Sequence, residues 1–249
     1  MTRISWSGAG ERVFEAGVDR GVLYVDGSPG VPWIGLKSVS HKPSGGDAKP
    51  RYMNGVKISN RMAPEEFQAT LEAFTYPDEF ERCDGTYLGQ SGMRLKQQRR
   101  KAFGMTYRSK VGNEIDGLSH AYKIHVLYNL KAEPSERSRN SLTDATEAMS
   151  FSWNLSARPP RIPGYRPTAH FEFDSRDVPT ALMQQLEDIL YGSDTSSPSL
   201  PTPGELIFLF DSFEDLVYDA GSPYTPVFVT YDAGTTSTPV TDTIDGGAL

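Results

Sequence analysis

The sequence predicts a mainly-β fold, a sandwich or barrel with one flanking α-helix and long loops. Apolar and polar residues alternate with period two in segment after segment, as on strands with one buried and one wet face. Turn-forming residues, 18 Pro and 23 Gly, punctuate those segments. Only one stretch changes clearly to helical spacing.

Taken in order, short strands are expected at 21–25, 33–40 and 52–59. Phe67, Ala69, Leu71 and Ala73 then alternate with Glu66, Gln68, Thr70 and Glu72. Phe103, Met105 and Tyr107 alternate with Gly104, Thr106 and Arg108. Tyr122, Ile124, Val126, Tyr128 and Leu130 alternate with Lys123, His125 and Asn129. The cleanest case interleaves Met149, Phe151, Trp153 and Leu155 with Ser150, Ser152, Asn154 and Ser156. Ala169, Phe171 and Phe173 alternate with His170, Glu172 and Asp174. Val178, Leu182, Leu186, Ile189 and Leu190 then recur at helical spacing, with Pro179 in the first turn and Gly192 just past the end. Asp177 supplies negative charge near the helix start. A weaker helix is expected at 143–148, capped by Ser141 or Thr143, and further strands at 205–210 and 227–231.

Three stretches read as long loops. The first is His41, Lys42, Pro43, Ser44, Gly45, Gly46, Asp47, Ala48, Lys49 and Pro50; the others are 82–100 and 192–204. The expected organisation is a β domain over 1–192, a linker over 193–204 and a C-terminal β extension or arm over 205–249. That extension adds strands to the main body or to a neighbouring subunit, and from Thr235 it is expected to be mobile. Long loops inside a compact domain call for a partner that orders them.

Charge is unevenly placed. Residues 1–176 hold all 25 Lys and Arg with 20 of the 32 acids; residues 177–249 hold the other 12 acids. Opposite charge at two ends of a subunit favours head-to-tail attraction, and an acidic chain repels nucleic acid. No apolar run approaches the roughly 20 residues of a spanning helix. The first residues lack the apolar segment of a signal peptide, so synthesis in a cytoplasm is expected. A single cysteine, Cys83, excludes an internal disulfide and multi-cysteine zinc patterns.

The residues point away from catalysis. Phosphate-binding glycine loops, GxSxG and HExxH are all absent. His120 and His125 lie five apart on one expected strand and so on opposite faces, which prevents a shared metal. Asp211, Glu214, Asp215 and Asp219 read as a solvated acidic turn, without the opposed carboxylates of a glycosidase. Arg94, Lys96, Arg99, Arg100 and Lys101 read either as a nucleic-acid contact or, in a chain that is acidic overall, as a polar loop that pairs with acidic neighbours. The sequon at Asn154 falls inside an expected strand. No catalytic, cofactor or metal residue is assigned.

Several phrases are distinctive: VDRGVLY from Val18, GVPWIGL from Gly30, MNGVK from Met53 and EFQATLEAFTYPDEF from Glu66. Cys83-Asp-Gly, FGMTYR from Phe103, YKIHVLYN from Tyr122 and Phe151-Ser-Trp follow. Together they resemble the major tail proteins, the tail-tube subunits of long non-contractile-tailed bacteriophages, above all those of actinobacteria. The resemblance spans roughly residues 10–192 and implies a β-sandwich with a flanking helix. It further implies that six copies close into a ring with a continuous inner β-barrel. Stacked rings then form a hollow tube that conducts the genome from capsid to cell. The implied location is the virion tail. Implied partners are further copies of the chain, a tape measure protein, a tail terminator and distal tail proteins, with DNA passing through the lumen unbound. On this reading His41 to Pro50 form the inter-ring loop. Glu66, Gln68, Thr70, Glu72, Ser152 and Asn154 are the candidates for an acidic or polar pore face. The rival readings are a terminator, neck or baseplate ring protein, or a carbohydrate-binding β-sandwich using Trp6, Trp33 and Tyr165.

Overall fold

The computed structural model describes residue 8 and residues 10–218, apart from 26, 27, 47, 63, 64, 138 and 140–148. Strands dominate, as the alternation predicts. In chain order they are β1 (Val13–Val25), β2 (Val31–Trp33), β3 (Leu36–His41), β4 (Ser44–Gly45), β5 (Ala48–Met53), β6 (Val56–Met62) and β7 (Glu65–Glu66). Then come β8 (Gln68–Ala73), β9 (Tyr87–Leu88), β10 (Arg94–Leu95), β11 (Phe103–Asn113), β12 (Gly117–Ala132), β13 (Phe151–Ala157) and β14 (His170–Asp174). Two helices follow, α1 (Thr180–Tyr191) and α2 (Pro203–Tyr218).

The main sheet is antiparallel and runs β2-β1-β11-β12-β13-β8-β3, with β14 also paired to β12. Strand β12 is long enough to serve two neighbours on one side. Lys123 to Leu127 pair with β14, while Leu130 to Ala132 pair with β13. The sheet curls until β3 packs against β1. Its concave face encloses Leu23, Leu71, Met105, Leu127, Leu130 and Leu155 around a knot of Trp33, Phe80 and Trp153. Ring centroids in that knot lie 4.6 to 5.9 Å apart and the planes are tilted or edge-on, the arrangement that aromatic quadrupoles favour.

The convex face carries Val22, Tyr24, Ile124, Val126, Tyr128 and Phe173. Met183, Leu186 and Leu190 of α1 and Leu206 of α2 cover it. Both faces of β11 and of the middle of β12 are therefore buried, and residues 124–128 are buried without interruption. Residue Gly192, at φ 85°, ends α1 in a conformation that suits glycine.

The strand expected at 205–210 is instead the first half of α2. Thr202 and Glu205 form a capping box: Glu205 N donates to Thr202 Oγ1 (3.3 Å), and Thr202 N donates to Glu205 Oε2 (2.7 Å). Pro203 occupies the first helical position, where its missing N–H costs nothing. Residues 193–202 have no regular element, but they are held against the domain. Tyr128 Oη donates to the Pro201 carbonyl, Ser199 N donates to that of Ile189, and Gly30 N to that of Pro198. The strap comes so close to β11 that a Cβ on Gly104 would lie 2.2 Å from Leu200 Cδ2.

Two more expectations need correction. The strand at 52–59 is a hairpin, β5 and β6 joined at Asn54-Gly55. The loop at 82–100 contains the β9–β10 pair and the 3₁₀ turn Gln90–Gly92. The expected helix at 143–148, the strand at 227–231 and the tail from Thr235 lie outside the described residues.

Candidate assembly surface

Hairpin β5–β6 forms its own two-stranded sheet, apart from the main one. Its register runs from Ala48 opposite Met62 to Met53 opposite Val56. Asn54 and Gly55, at φ 50° and 78°, make the tight turn that Asn-Gly suits. Strands of this length reach roughly 20 Å. Every residue from 50 to 60 is exposed, among them Tyr52 at 64%, Met53 at 60%, Val56 at 65% and Ile58 at 54%. A two-stranded ribbon is marginal alone in water, and grouped apolar side chains on it mark a contact surface.

The residues expected to form one inter-ring loop divide here. Ala48 and Pro50 begin the hairpin, with Lys49 between them in β5; Ser44 and Gly45 pair with Glu66 and Glu65. Lys42 N bonds the Gln68 carbonyl. Pro43 is exposed and Gly46 half-buried, and Asp47 lies outside the described residues. His41 ends β3 with its ring against His170 and Phe67.

Most of the expected pore residues do meet on one face. Asn154 lies opposite Thr70, Ser152 opposite Glu72, and Ser156 opposite Gln68. Ser40 and Ser38 extend the rows on β3. Thr70 Oγ1 donates to Asn154 Oδ1 (3.2 Å), and Lys37 Nζ lies 3.1 Å from Glu72 Oε2. The result is a polar face, mostly uncharged, on the reverse of buried Leu71 and Trp153. Glu66 does not belong to it. The alternation breaks at Phe67, and Glu66 sits on β7 opposite Ser44.

Other candidates are absorbed by the fold. Arg94 bonds Glu81 (2.6 Å), Lys96 bonds Thr86 (2.8 Å), and Arg100 bonds the carbonyls of Ala132 and Glu133. Trp33 is core, and Tyr165 is exposed; Trp6 lies outside the described residues. Asp211, Glu214 and Asp215 are on helix α2, not in a turn, and Asp219 lies outside the described residues. Burial pushes the Cys83 thiol up to about 12, which suits a packing role.

The histidines hold the arrangement that sequence reasoning missed. His120 stands apart, with Nδ1 3.2 Å from Asp116 Oδ2. His125 lies opposite Glu172 across β12 and β14, with His170 two residues before it on the same face. His125 Nδ1 is 3.1 Å from His170 Nε2 and 3.6 Å from Glu172 Oε2. On its other side His125 Nε2 is 3.0 Å from Ser109 Oγ and 3.7 Å from Glu15 Oε1. Tyr107 stacks on His125 at 4.5 Å and meets His41 Nε2 at 2.8 Å through its hydroxyl. Burial lowers the pKa of His41, His125 and His170, the last to about 4. Among the described residues, His125, His170 and Glu172 are the group placed to hold a cation.

No family model matches the chain, and no curated protein matches it. A chain of the six-fold symmetrised baseplate of the anti-feeding prophage superposes with TM-score 0.36 at 9% identity, over 68% of this chain and 97% of its own length. A chain of the sheath–tube complex of an extracellular contractile injection system, in its extended state, superposes with TM-score 0.32 at 12% identity, over 62% and 88%. Likeness at this level is too remote to carry a function across. Among the described residues no helix is long and apolar enough to cross a membrane.

Proposed function

We propose that this chain is the structural subunit of a phage tail tube, built from hexameric rings that stack head to tail into a conduit for the genome. The observation that carries the reading is the β5–β6 hairpin. It is a separate ribbon, about 20 Å long, with four large apolar side chains in water. Stability of the isolated subunit gives no reason for such an arm; docking on an adjacent ring does. The phrases that resemble major tail proteins surround it and include its turn. The polar ladder of Gln68, Thr70, Glu72, Ser152 and Asn154 supports a lumen face on which DNA phosphates find no cationic row to adhere to. Identical copies related by rotation close a ring through unlike surfaces, and stacking repeats the contact along the axis. The proposed partners are further copies first, with tape measure, terminator and distal tail proteins at the ends. The chain takes no part in catalysis on this reading.

Negative-stain electron microscopy across a concentration series is the test. Hollow tubes with six-fold end views are the expected result. Single rings that never stack would replace the tube by a terminator, neck or baseplate role. Persistent monomers, even when purified tail-tip complexes are added as initiators, would overturn self-assembly altogether.

A further inference from the structure

We propose that His125, His170 and Glu172 form a binding site for a divalent transition-metal cation of the zinc class, which staples β14 to β12.

The geometry comes first. One ligand atom from each residue lies within 4.8 Å of the other two. Zinc bonds of about 2.0–2.1 Å in a tetrahedron set neighbouring ligand atoms roughly 3.3–3.4 Å apart. The two separations around His125 Nδ1, 3.1 Å to His170 Nε2 and 3.6 Å to Glu172 Oε2, bracket that value. Two imidazole nitrogens this close share one proton, and a cation at the same place replaces it. The third ligand is already adjacent, and the fourth position is left for water.

The surroundings also suit a cation. His125 Nε2 faces Ser109 Oγ and Glu15 Oε1, the acceptor pattern that orients a ligating imidazole and raises its basicity. Lys123 Nζ holds Glu172 Oε1 at 2.7 Å, which leaves Oε2 turned toward the histidines. Two carboxylates, Glu15 and Glu172, outweigh the one ammonium of Lys123, so the pocket is net negative. The Glu172 side chain is 42% exposed, which gives an ion a way in from solvent.

The choice of metal follows from the donors. Two imidazoles and one carboxylate suit zinc-class ions, whereas magnesium prefers an octahedron of oxygens. The structural consequence is local. The cation would cross-link β14, whose chain continues into α1, to the central strand of the main sheet.

The test is calorimetric titration of chelator-stripped full-length chain with zinc chloride, with thermal melts alongside. The expected result is saturation at one equivalent and a rise in Tm that depends on zinc concentration. Magnesium chloride should leave Tm unchanged. Cobalt(II) should give the intense visible absorption of a tetrahedral site. His170→Gln and Glu172→Gln should each weaken zinc binding about 10-fold or more. Glu172 is partly exposed, so Glu172→Gln tests the site even if His170→Gln folds poorly. His120→Gln should change nothing. Absence of a one-equivalent transition would overturn the site, as would parent-like binding in both Gln variants or an equal response to magnesium.

Discussion

Trp153 Nε1 donates to Asp84 Oδ1 at 3.1 Å, so the largest buried side chain of the inner core is tied to a carboxylate that two arginines also meet. Arg100 lies 3.7 Å from Asp84 Oδ1, and Arg137 bonds Oδ2 while stacking over Tyr76, Phe151 and Trp153. Asp84 and both arginines are largely withdrawn from solvent. Asp84→Ala strands the indole N–H and removes the counter-charge of both arginines, of which Arg100 keeps its bonds to the Ala132 and Glu133 carbonyls. The expected loss is about 3 kcal/mol, read from the urea unfolding midpoint. A loss under about 1 kcal/mol would mean that water takes over the role of the carboxylate.

Helix α2 should respond to its cap. Thr202→Ala removes the acceptor for Glu205 N and should cost about 1 kcal/mol. Leu206→Ala, at a buried position on the convex core, should cost about 2–4 kcal/mol. Both are measured by chemical denaturation. A null result for Leu206 would show that α2 is not part of the cooperative unit.

The hairpin should separate stability from assembly. Tyr52 and Ile58 are exposed, so the double variant Tyr52→Ser, Ile58→Thr should shift subunit stability by no more than about 0.5 kcal/mol. Tube formation should be lost. Sedimentation velocity beside a thermal melt reads both, and tubes of normal length from the double variant would remove the hairpin from the interface.

Acid should weaken the β1–β11 pairing through Asp19. Its two oxygens accept from Arg108 Nε and Nη2, each at 2.7 Å, and this hydrogen bonding holds the carboxyl below its ordinary 3.8. A depressed carboxyl stabilises the fold fully above its unfolded value. That contribution is lost as pH falls through the lowered folded value. Tm should therefore drop more steeply below pH 4 in the parent than in Asp19→Asn, the two curves running parallel above pH 5.

The sequence was most informative where a single strand faces two environments. Alternation at Phe151, Trp153 and Leu155 places one face in the core, as found, and spacing from Val178 to Leu190 marks α1 to within about a turn. It misled where local signals compete. The apolar run from Leu206 to Phe210 reads as a strand until the Thr202–Glu205 box is noticed. Asn54-Gly55 marks a hairpin turn inside what reads as one strand. The polar ladder was legible because Gln68, Thr70 and Glu72 share one strand face. The histidine cluster was not: His125 and His170 meet only through the β12–β14 register, a pairing between distant segments that neither segment announces.

That dependence on distant partners extends through the main sheet and bears on how the chain is made. Val13 pairs with Asn113, and Ala73 with Phe151, so β1 and β8 each emerge from the ribosome long before one of their two neighbours exists. The β11–β12 hairpin, closed between Asn113 and Gly117, is the largest pairing that forms locally. Folding thus waits on the second half of the chain, and non-local closure of this kind is slow. Meanwhile the early strands present open edges to any other chain nearby. That hazard is present at every ribosome, and the interval before Phe151 is added is when nascent chains are most exposed to mispairing with one another.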